Sequence, residues 1–471
     1  MFQFAVDAEL VIGLVSPVGI RHEDITETLD NQLDAFGYKT NHVRLSEQFE
    51  ALYTAIGEPW SPPASKGGVA NYKMDAGNLL RERTRRNDIL ALAAAGTIAR
   101  NRGPRQRTAH IITSLKRPEE VETLRRIYGP GFYLLSLSAS QGSRRAYFEE
   151  RHVEDAAKLI EKDRSEQYEW GQRMQETFQL ADCFVSIQDD PAEHKRQLQR
   201  FLNMIFGCPT ATPTTAEHAM FTAYAAALRS GDLSRQVGAA ILDANGDLLA
   251  VGHNEVPKRG GGLYTADDAE RARDIELGHD ANELAKDEML RALVTALGRP
   301  ELSPAEARAL VKPTGLRDIT EFGRAVHAEM EALLACARTG RSPRGATLYT
   351  TTFPCHNCCR HIIAAGIEKV YFVEPYPKSK AGTLHNDAIS IDEPQAGKIP
   401  FLPFIGVAPR RYFDFFSMTL SLGHSIERKR DGVAAKWSPA DASVRVPMQP
   451  NSYLEREQLA MEEIRNALSR K

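Results

Sequence analysis

No stretch of this 471-residue chain approaches the roughly 20 continuous apolar residues that a membrane-spanning helix needs. Leu90–Ala99 is apolar, but it is short and contains Gly96 and Thr97. The opening MFQFAVDAEL carries Asp7 and Glu9 and no basic segment ahead of an apolar one, so it does not read as a secretory leader. Neither sign of charge dominates. The 59 Lys and Arg residues oppose 62 Asp and Glu residues, a formal net charge of −3, which argues against a protein built mainly to coat nucleic acid. Internal repeats and low-complexity tracts are absent as well. A hydrophobic fraction of 42% beside 26% charged residues excludes wholesale disorder. Cysteine is scarce and unevenly placed: of six, Cys355, Cys358 and Cys359 crowd into five residues. A disulfide framework spreads its cysteines along a short secreted chain, whereas a tight Cys-x-x-Cys in a long one reads as metal or redox chemistry. The expectation is a cytoplasmic globular protein of two domains, with no membrane partner.

The order of elements points to α/β architecture throughout. Short apolar runs at Glu9–Val15, Thr40–Leu45, His110–Ser114, Phe132–Leu137 and Ala181–Ser186 alternate with helical stretches such as Asp24–Phe36, Pro118–Ile127 and Val153–Arg164. That alternation predicts a mostly parallel sheet covered on both faces over residues 1–207. Cys208–Thr215 (CPTATPTT) breaks the rhythm and marks a boundary. A second α/β unit is expected over 216–430, with its core at 216–380 and a charged, helical insertion at 263–320. Its strands Val237–Asp243 and Leu248–Gly252 flank Asn245-Gly246, a strong hairpin signal. Residues 431–471 read as a polar tail ending in an amphipathic helix over Tyr453–Ser469.

The chemistry concentrates in two short motifs, His327-Ala328-Glu329 and Pro354-Cys355-His356-Asn357-Cys358. Together they form the His-x-Glu … Pro-Cys-x-x-Cys signature of zinc-dependent base deaminases. One imidazole and two thiolates make a three-ligand set for one catalytic Zn²⁺ and leave a fourth tetrahedral position to water. Ligands at helix starts gain from the partial positive charge there, which favours thiolate, and Pro354 suits a chain entering a helix. Glu329 is two residues from His327, not the three or four that would put both on one helix face. It therefore reads as a proton shuttle, serving hydroxide attack on cytosine C4 by protonating N3 and then departing ammonia. Two other readings of the cysteines are a closed structural zinc knuckle, with Cys359 or His356 as fourth ligand, and a redox pair.

Phe221–Ala240, Gly252–Pro257 and the two motifs resemble deoxycytidylate deaminases over roughly residues 216–380. With a degenerate P-loop domain in front, the whole chain is similar to the two-domain antiphage dCTP deaminases of bacteria. The resemblance implies a cytidine-deaminase-like α/β/α fold with a mixed sheet, and hydrolysis of dCMP or dCTP to the deoxyuridine nucleotide, depleting a pool that phage replication needs. It also implies a homo-oligomer and an inhibitory RNA or nucleotide. By the same likeness, Arg235, Gln236 and Asn254 line the sugar and phosphate side of the pocket. Ala328 and Pro354, which flank the metal ligands, are expected to touch the substrate as well, and Tyr376 and Lys378, in the Pro-stiffened Glu374–Lys380 loop, offer a ring and a charge for phosphate.

Gly13-Leu-Val-Ser-Pro-Val-Gly19 sits where a phosphate-cradling loop belongs, with Gly13, Ser16 and Gly19 as candidate nucleotide contacts. Ile20 and Arg21 stand where a functional Walker motif ends in Gly-Lys-Ser/Thr, so a regulatory nucleotide or a plain turn is expected rather than phosphoryl transfer. Eight arginines between positions 81 and 107 read as a solvated basic face or a phosphate or RNA contact, and Arg144 and Arg145 as a cover over a nucleotide. Two further functions compete with nucleotide deamination: a polynucleotide-editing deaminase, and a nucleotide- or RNA-responsive regulator.

Overall fold

The computed structural model describes residues 8–63, 66–103, 107–153, 156–164, 169–187, 190–316, 319–448 and 450–469. Two compact units emerge, one of residues 1–214 with 405–471, the other of Thr215–Phe404.

The first unit is built on β1 (Leu10–Val15), β2 (Lys39–Arg44), β3 (Thr108–Leu115), β4 (Phe132–Ala139) and β5 (Cys183–Ile187). All five are parallel, in the order β5-β4-β1-β3-β2, and the short strand Gly406–Val407 pairs antiparallel with β5. β1 is wholly buried, as expected of a central strand covered on both faces. Gly13 lies within it: a Cβ there would come 2.7 Å from Leu115 and 2.9 Å from Phe132, so this glycine serves packing.

The loop that follows is filled by the protein's own groups. Ser16 is buried and bonded to His22 Nε2 at 2.8 Å. The Val18 N–H donates to the buried Asp163 carboxylate at 2.8 Å, and Lys116 Nζ reaches both Asp163 and the Ser16 carbonyl at 2.7 Å. Gly19 has φ +88° and packs on Phe148 and Arg144, whose Nε donates to the Val18 carbonyl at 2.8 Å. Among the described residues, Arg144 thus braces the loop.

Two expectations are corrected here. The arginine-rich stretch is only partly a basic face: Arg83, Arg85 and Arg100 are exposed, but Arg81 pairs with Glu120 in full burial (2.8 Å), Arg86 with Asp88 (2.9 Å), Arg83 with Glu58, and Arg102 with Glu9 (3.0 Å) and Glu457 (2.6 Å). Arg107 donates to the Phe36 carbonyl and Arg100 to Thr97, and Arg105 lies outside the described residues. The segment from Ile405 onward, expected as the end of the deaminase domain and a polar tail, belongs instead to the first unit. Its helix Pro450–Leu468 buries Tyr453, Ala460 and Ala467 in the same core as the helix Ile89–Asn101. Glu457 accepts from Arg102 twice and from the Tyr128 hydroxyl (2.9 Å), while the Tyr453 hydroxyl donates to Glu9 (2.7 Å). The sequence looks polar there because the stripe that docks is narrow.

The second unit carries β6 (Gly238–Leu242), β7 (Leu248–His253), β8 (Thr347–Thr352), β9 (Lys369–Glu374), β10 (Ile389–Ile391) and β11 (Ile399–Pro403). The sheet is mixed: β6 runs antiparallel to β7 and β8, the rest parallel, in the order β10-β11-β9-β8-β6-β7. Asp243 accepts the N–H groups of Asn245 and Asp247 to close the expected hairpin. Helices cover both faces. A Cβ at Gly238 would sit 1.9 Å from the Ala223 carbonyl oxygen, and one at Gly252 only 2.1 Å from that of Ala328. Gly238 pairs with His253 and Gly252 with Ala239, so these close approaches are on opposite faces. The second seats the start of the helix Ala328–Thr339 against β7. The insertion is helical, as expected, at Asp274–Leu277, Ala281–Ala296 and Pro304–Val311.

Candidate metal centre and its pocket

Two helix starts meet at the site. His327, extended (φ −71°, ψ 154°), is the N-cap of Ala328–Thr339, which Gly340 ends in a left-handed turn. Cys355 is the N-cap of His356–Ala364, its Sγ accepting the Cys358 N–H at 3.4 Å. The first residue of one helix and the first turn of the other thereby bring three ligand atoms together. His327 Nδ1 is 3.3 Å from Cys355 Sγ and 3.3 Å from Cys358 Sγ, and all three atoms lie within 4.8 Å of one another. Around a tetrahedral Zn²⁺ with ordinary bond lengths, N···S separations are about 3.5 Å, so the donor set fits that ion in type and spacing. Cys359 and His356 stand outside this cluster; Cys359 is buried and its thiol is pushed up to about 12 by burial. Among the described residues no fourth protein ligand closes the set, which disfavours the structural knuckle.

The electrostatics follow from the crowding. The hydrogen bond with Cys358, against burial and with help from His327, draws Cys355 down to about 4. The bond to Cys355 raises His327 to about 9. Glu329 lies in the first helical turn, 4% exposed, with Oε2 3.4 Å from Cys358 Sγ. Burial and then the Cys355 charge lift its carboxyl to about 7, where a group gives and takes protons with equal ease at neutral pH.

A cavity of about 210 Å³ opens on His327, Glu329 and Cys355. Of the residues expected to touch substrate, Arg235, Asn254, Ala328 and Tyr376 line it. Arg235 bonds Glu374 at 3.1 Å and lies 5.4 Å from the centre of the Tyr376 ring. Asn254 is a brace as well as wall: its side-chain oxygen accepts the Val237 N–H (2.8 Å) and its amide donates to the Arg235 carbonyl (2.9 Å). Gln236, Pro354 and Lys378 are outside the lining. Gln236 turns back to the Ser230 carbonyl at 2.9 Å, the Pro354 carbonyl takes the Ser379 hydroxyl at 2.8 Å, and Lys378 is exposed. Gln236 was expected there from the family likeness, Lys378 for its charge and Pro354 from the metal motif. Asp274, Asp280, Asn282 and Arg324 are lining residues that the sequence did not disclose. Three come from the insertion, and only the position of Arg324, three residues ahead of His327, carries any signal.

Residues 213–374 match the family model described as the cytidine and deoxycytidylate deaminase zinc-binding region. The chain is 49% identical to ComE operon protein 2 of Bacillus subtilis (strain 168) over 53 residues, 11% of this chain and 28% of that protein. It is 27% identical to a probable deoxycytidylate deaminase of Drosophila melanogaster over 215 residues, 45% of this chain and 80% of that one. The crystal structure of the cyanophage S-TIM5 dCMP deaminase in apo form aligns at 20% identity with a TM-score of 0.23, covering 41% of this chain and 99% of that one. The match to the Bacillus protein spans less than a third of that relative's length.

Proposed function

We propose that the Thr215–Phe404 unit is a zinc-dependent hydrolase that converts deoxycytidine nucleotides, dCMP or dCTP, to deoxyuridine nucleotides and ammonia. The observation that carries this reading is the meeting of His327, Cys355 and Cys358 with the buried Glu329 at one cavity. His327 and the two cysteines would hold the ion. When bound, Zn²⁺ supplies a Lewis acid that makes water nucleophilic at neutral pH. The remaining work falls to the chain. Glu329 takes a proton from the attacking water, passes it to N3 of the base, and delivers the next to the departing amine. Its burial keeps bulk water from competing for those protons. Ala328 and Phe353 wall the base, and Asn254 fixes the Arg235–Val237 turn beside it.

The cavity also favours a free nucleotide over a polynucleotide. Among the described residues, its lining holds two aromatic rings, Phe353 and Tyr376, and no row of cations to track a strand. Depletion of dCTP during phage infection is the role that the two-domain resemblance supports. Ammonia release from dCTP, dCMP, CTP and a cytosine-containing oligonucleotide, run in parallel with zinc-loaded protein, tests the reading. Activity on the deoxynucleotides is expected, and activity confined to the oligonucleotide overturns it. Glu329→Gln is expected to keep zinc and lose roughly 10²–10⁴-fold in rate; retained activity refutes the shuttle.

A further inference from the structure

Among the described residues, two guanidinium groups line the cavity, Arg235 and Arg324, and they are placed differently. Arg235 is bonded to Glu374 and flanked by Tyr376. Arg324 comes from the segment leading into His327, and that segment is pinned at both ends. Asn282 donates to the Ile319 carbonyl (3.0 Å) and accepts the Phe322 N–H (3.3 Å), while Val326 exchanges backbone bonds with Glu255. Arg324 Nη1 bonds Asp274 at 2.7 Å, Nη2 bonds the Ala272 carbonyl at 3.0 Å, and the side chain is 35% exposed. Two of the five N–H donors of a guanidinium are thereby used. The rest of the charged wall is acidic. Asp232 holds the N–H groups of Ser234 and Arg235, and Asp280 caps its helix through the Glu283 N–H.

We infer that Arg324, whose forked donors sit on the wall shared with His327 and Glu329, binds the substrate's 5′-phosphate, with Asp274 holding the guanidinium in place until the phosphate arrives. The inference rests on the deaminase reading and adds to it the residue that separates nucleotide from nucleoside. Among the described lining residues, Asp232 and Asp280 repel a phosphate, and Arg235 and Arg324 are the cations that attract it. Each guanidinium already carries a carboxylate, Glu374 on Arg235 and Asp274 on Arg324. Arg324, however, stands on the segment that is pinned at both ends and leads into His327, so its planar fork is the one held in register with the metal cluster to meet phosphate oxygens in pairs. Lys378, one of the cations expected on the phosphate side with Arg235, is outside the cavity lining. Asp274 is a competitor as well as a support: removing its charge without its shape leaves Arg324 free for the ligand.

The test is calorimetric titration of the full-length protein with dUMP and with deoxyuridine, which lack the amine to be released and so bind without turnover. Wild-type protein is expected to bind dUMP at least tenfold more tightly than deoxyuridine. Arg324→Ala brings that ratio within threefold of unity, Arg324→Lys retains part of it, and Asp274→Asn raises it. An unchanged ratio in Arg324→Ala overturns the inference, since a merely structural arginine would weaken both ligands together. Should that variant not fold, an unchanged ratio in both Arg324→Lys and Asp274→Asn does the same. Equal binding of the two compounds by wild-type protein overturns this inference alone. Binding of neither, with zinc present, overturns the deaminase reading beneath it.

Discussion

Two strand-to-helix junctions invite comparison. In the first unit the chain leaves β1, the strand where the sheet order reverses, and enters the helix His22–Asp34. In the second it leaves β8 and enters His356–Ala364. Both are places where α/β proteins build ligand sites. At the first, the Val18 N–H and Lys116 are satisfied by Asp163, and Ser16 by His22. At the second, Cys355 and Cys358 meet His327 and Glu329 with a cavity beyond. Position in a fold offers a site; the donors left over after the protein has satisfied itself decide whether anything binds.

Three experiments bear on this contrast. The largest effect is expected at the open junction, where Cys358→Ser removes a soft ligand. Zinc content should fall from one ion per chain to a small fraction, read by atomic absorption, and ammonia release should vanish with it. Full zinc occupancy in that variant would make the second junction as self-contained as the first. The next effect belongs to the closed unit, where Glu457→Leu leaves the buried Tyr128 hydroxyl without this acceptor and Arg102 with Glu9 as its one remaining carboxylate among the described residues. A loss of about 3–5 kcal/mol is expected in denaturant unfolding, and a loss below about 1 kcal/mol would show that solvent reaches the pair.

The smallest is a pH effect. Burial raises the Glu9 carboxyl, but hydrogen bonds from His110, Arg102 and Tyr453 outweigh it and hold the group at about 2. A carboxyl lowered on folding contributes its stability above the unfolded value of about 4.5, and that contribution fades as pH falls toward 2. Wild-type stability should therefore drop by roughly 3 kcal/mol across that window from this group alone. Glu9→Gln should be less stable at neutral pH and flatter below pH 4.5, and equal slopes would refute the assignment.

The His/Cys/Cys cluster that could hold a metal ion was legible because its pattern is local. His327 and Glu329 are two residues apart, Cys355 and Cys358 three, and each pair sits at a helix start that the flanking residues announce. The parallel alternation of the first unit and the hairpin at Asn245-Gly246 were legible for the same reason. Partners distant along the chain were not. Arg102 reads as one cation in a basic run until Glu9 and Glu457, 93 and 355 residues away, arrive beside it. The insertion reads as a charged surface excursion, yet it sends Asp274, Asp280 and Asn282 to the cavity wall. Lys378 and Gln236, expected for charge and by likeness, lie outside the cavity lining, Gln236 bonded instead to the Ser230 carbonyl.

The first unit is interrupted: residues 215–404 separate its strands from Gly406–Val407 and from the helix that carries Glu457. On the ribosome, where domains emerge and fold from the amino terminus, the five parallel strands are made long before their last helix. Until it is synthesised, Arg102 lacks Glu457 and the Ile89–Asn101 helix lacks the cover of Tyr453 and Ala460. The nested unit, whose strands and ligands all lie within one continuous stretch, has everything it needs first. The order of maturation is thus inverted with respect to the order of translation: the segment made in the middle is finished before the one that was begun ahead of it.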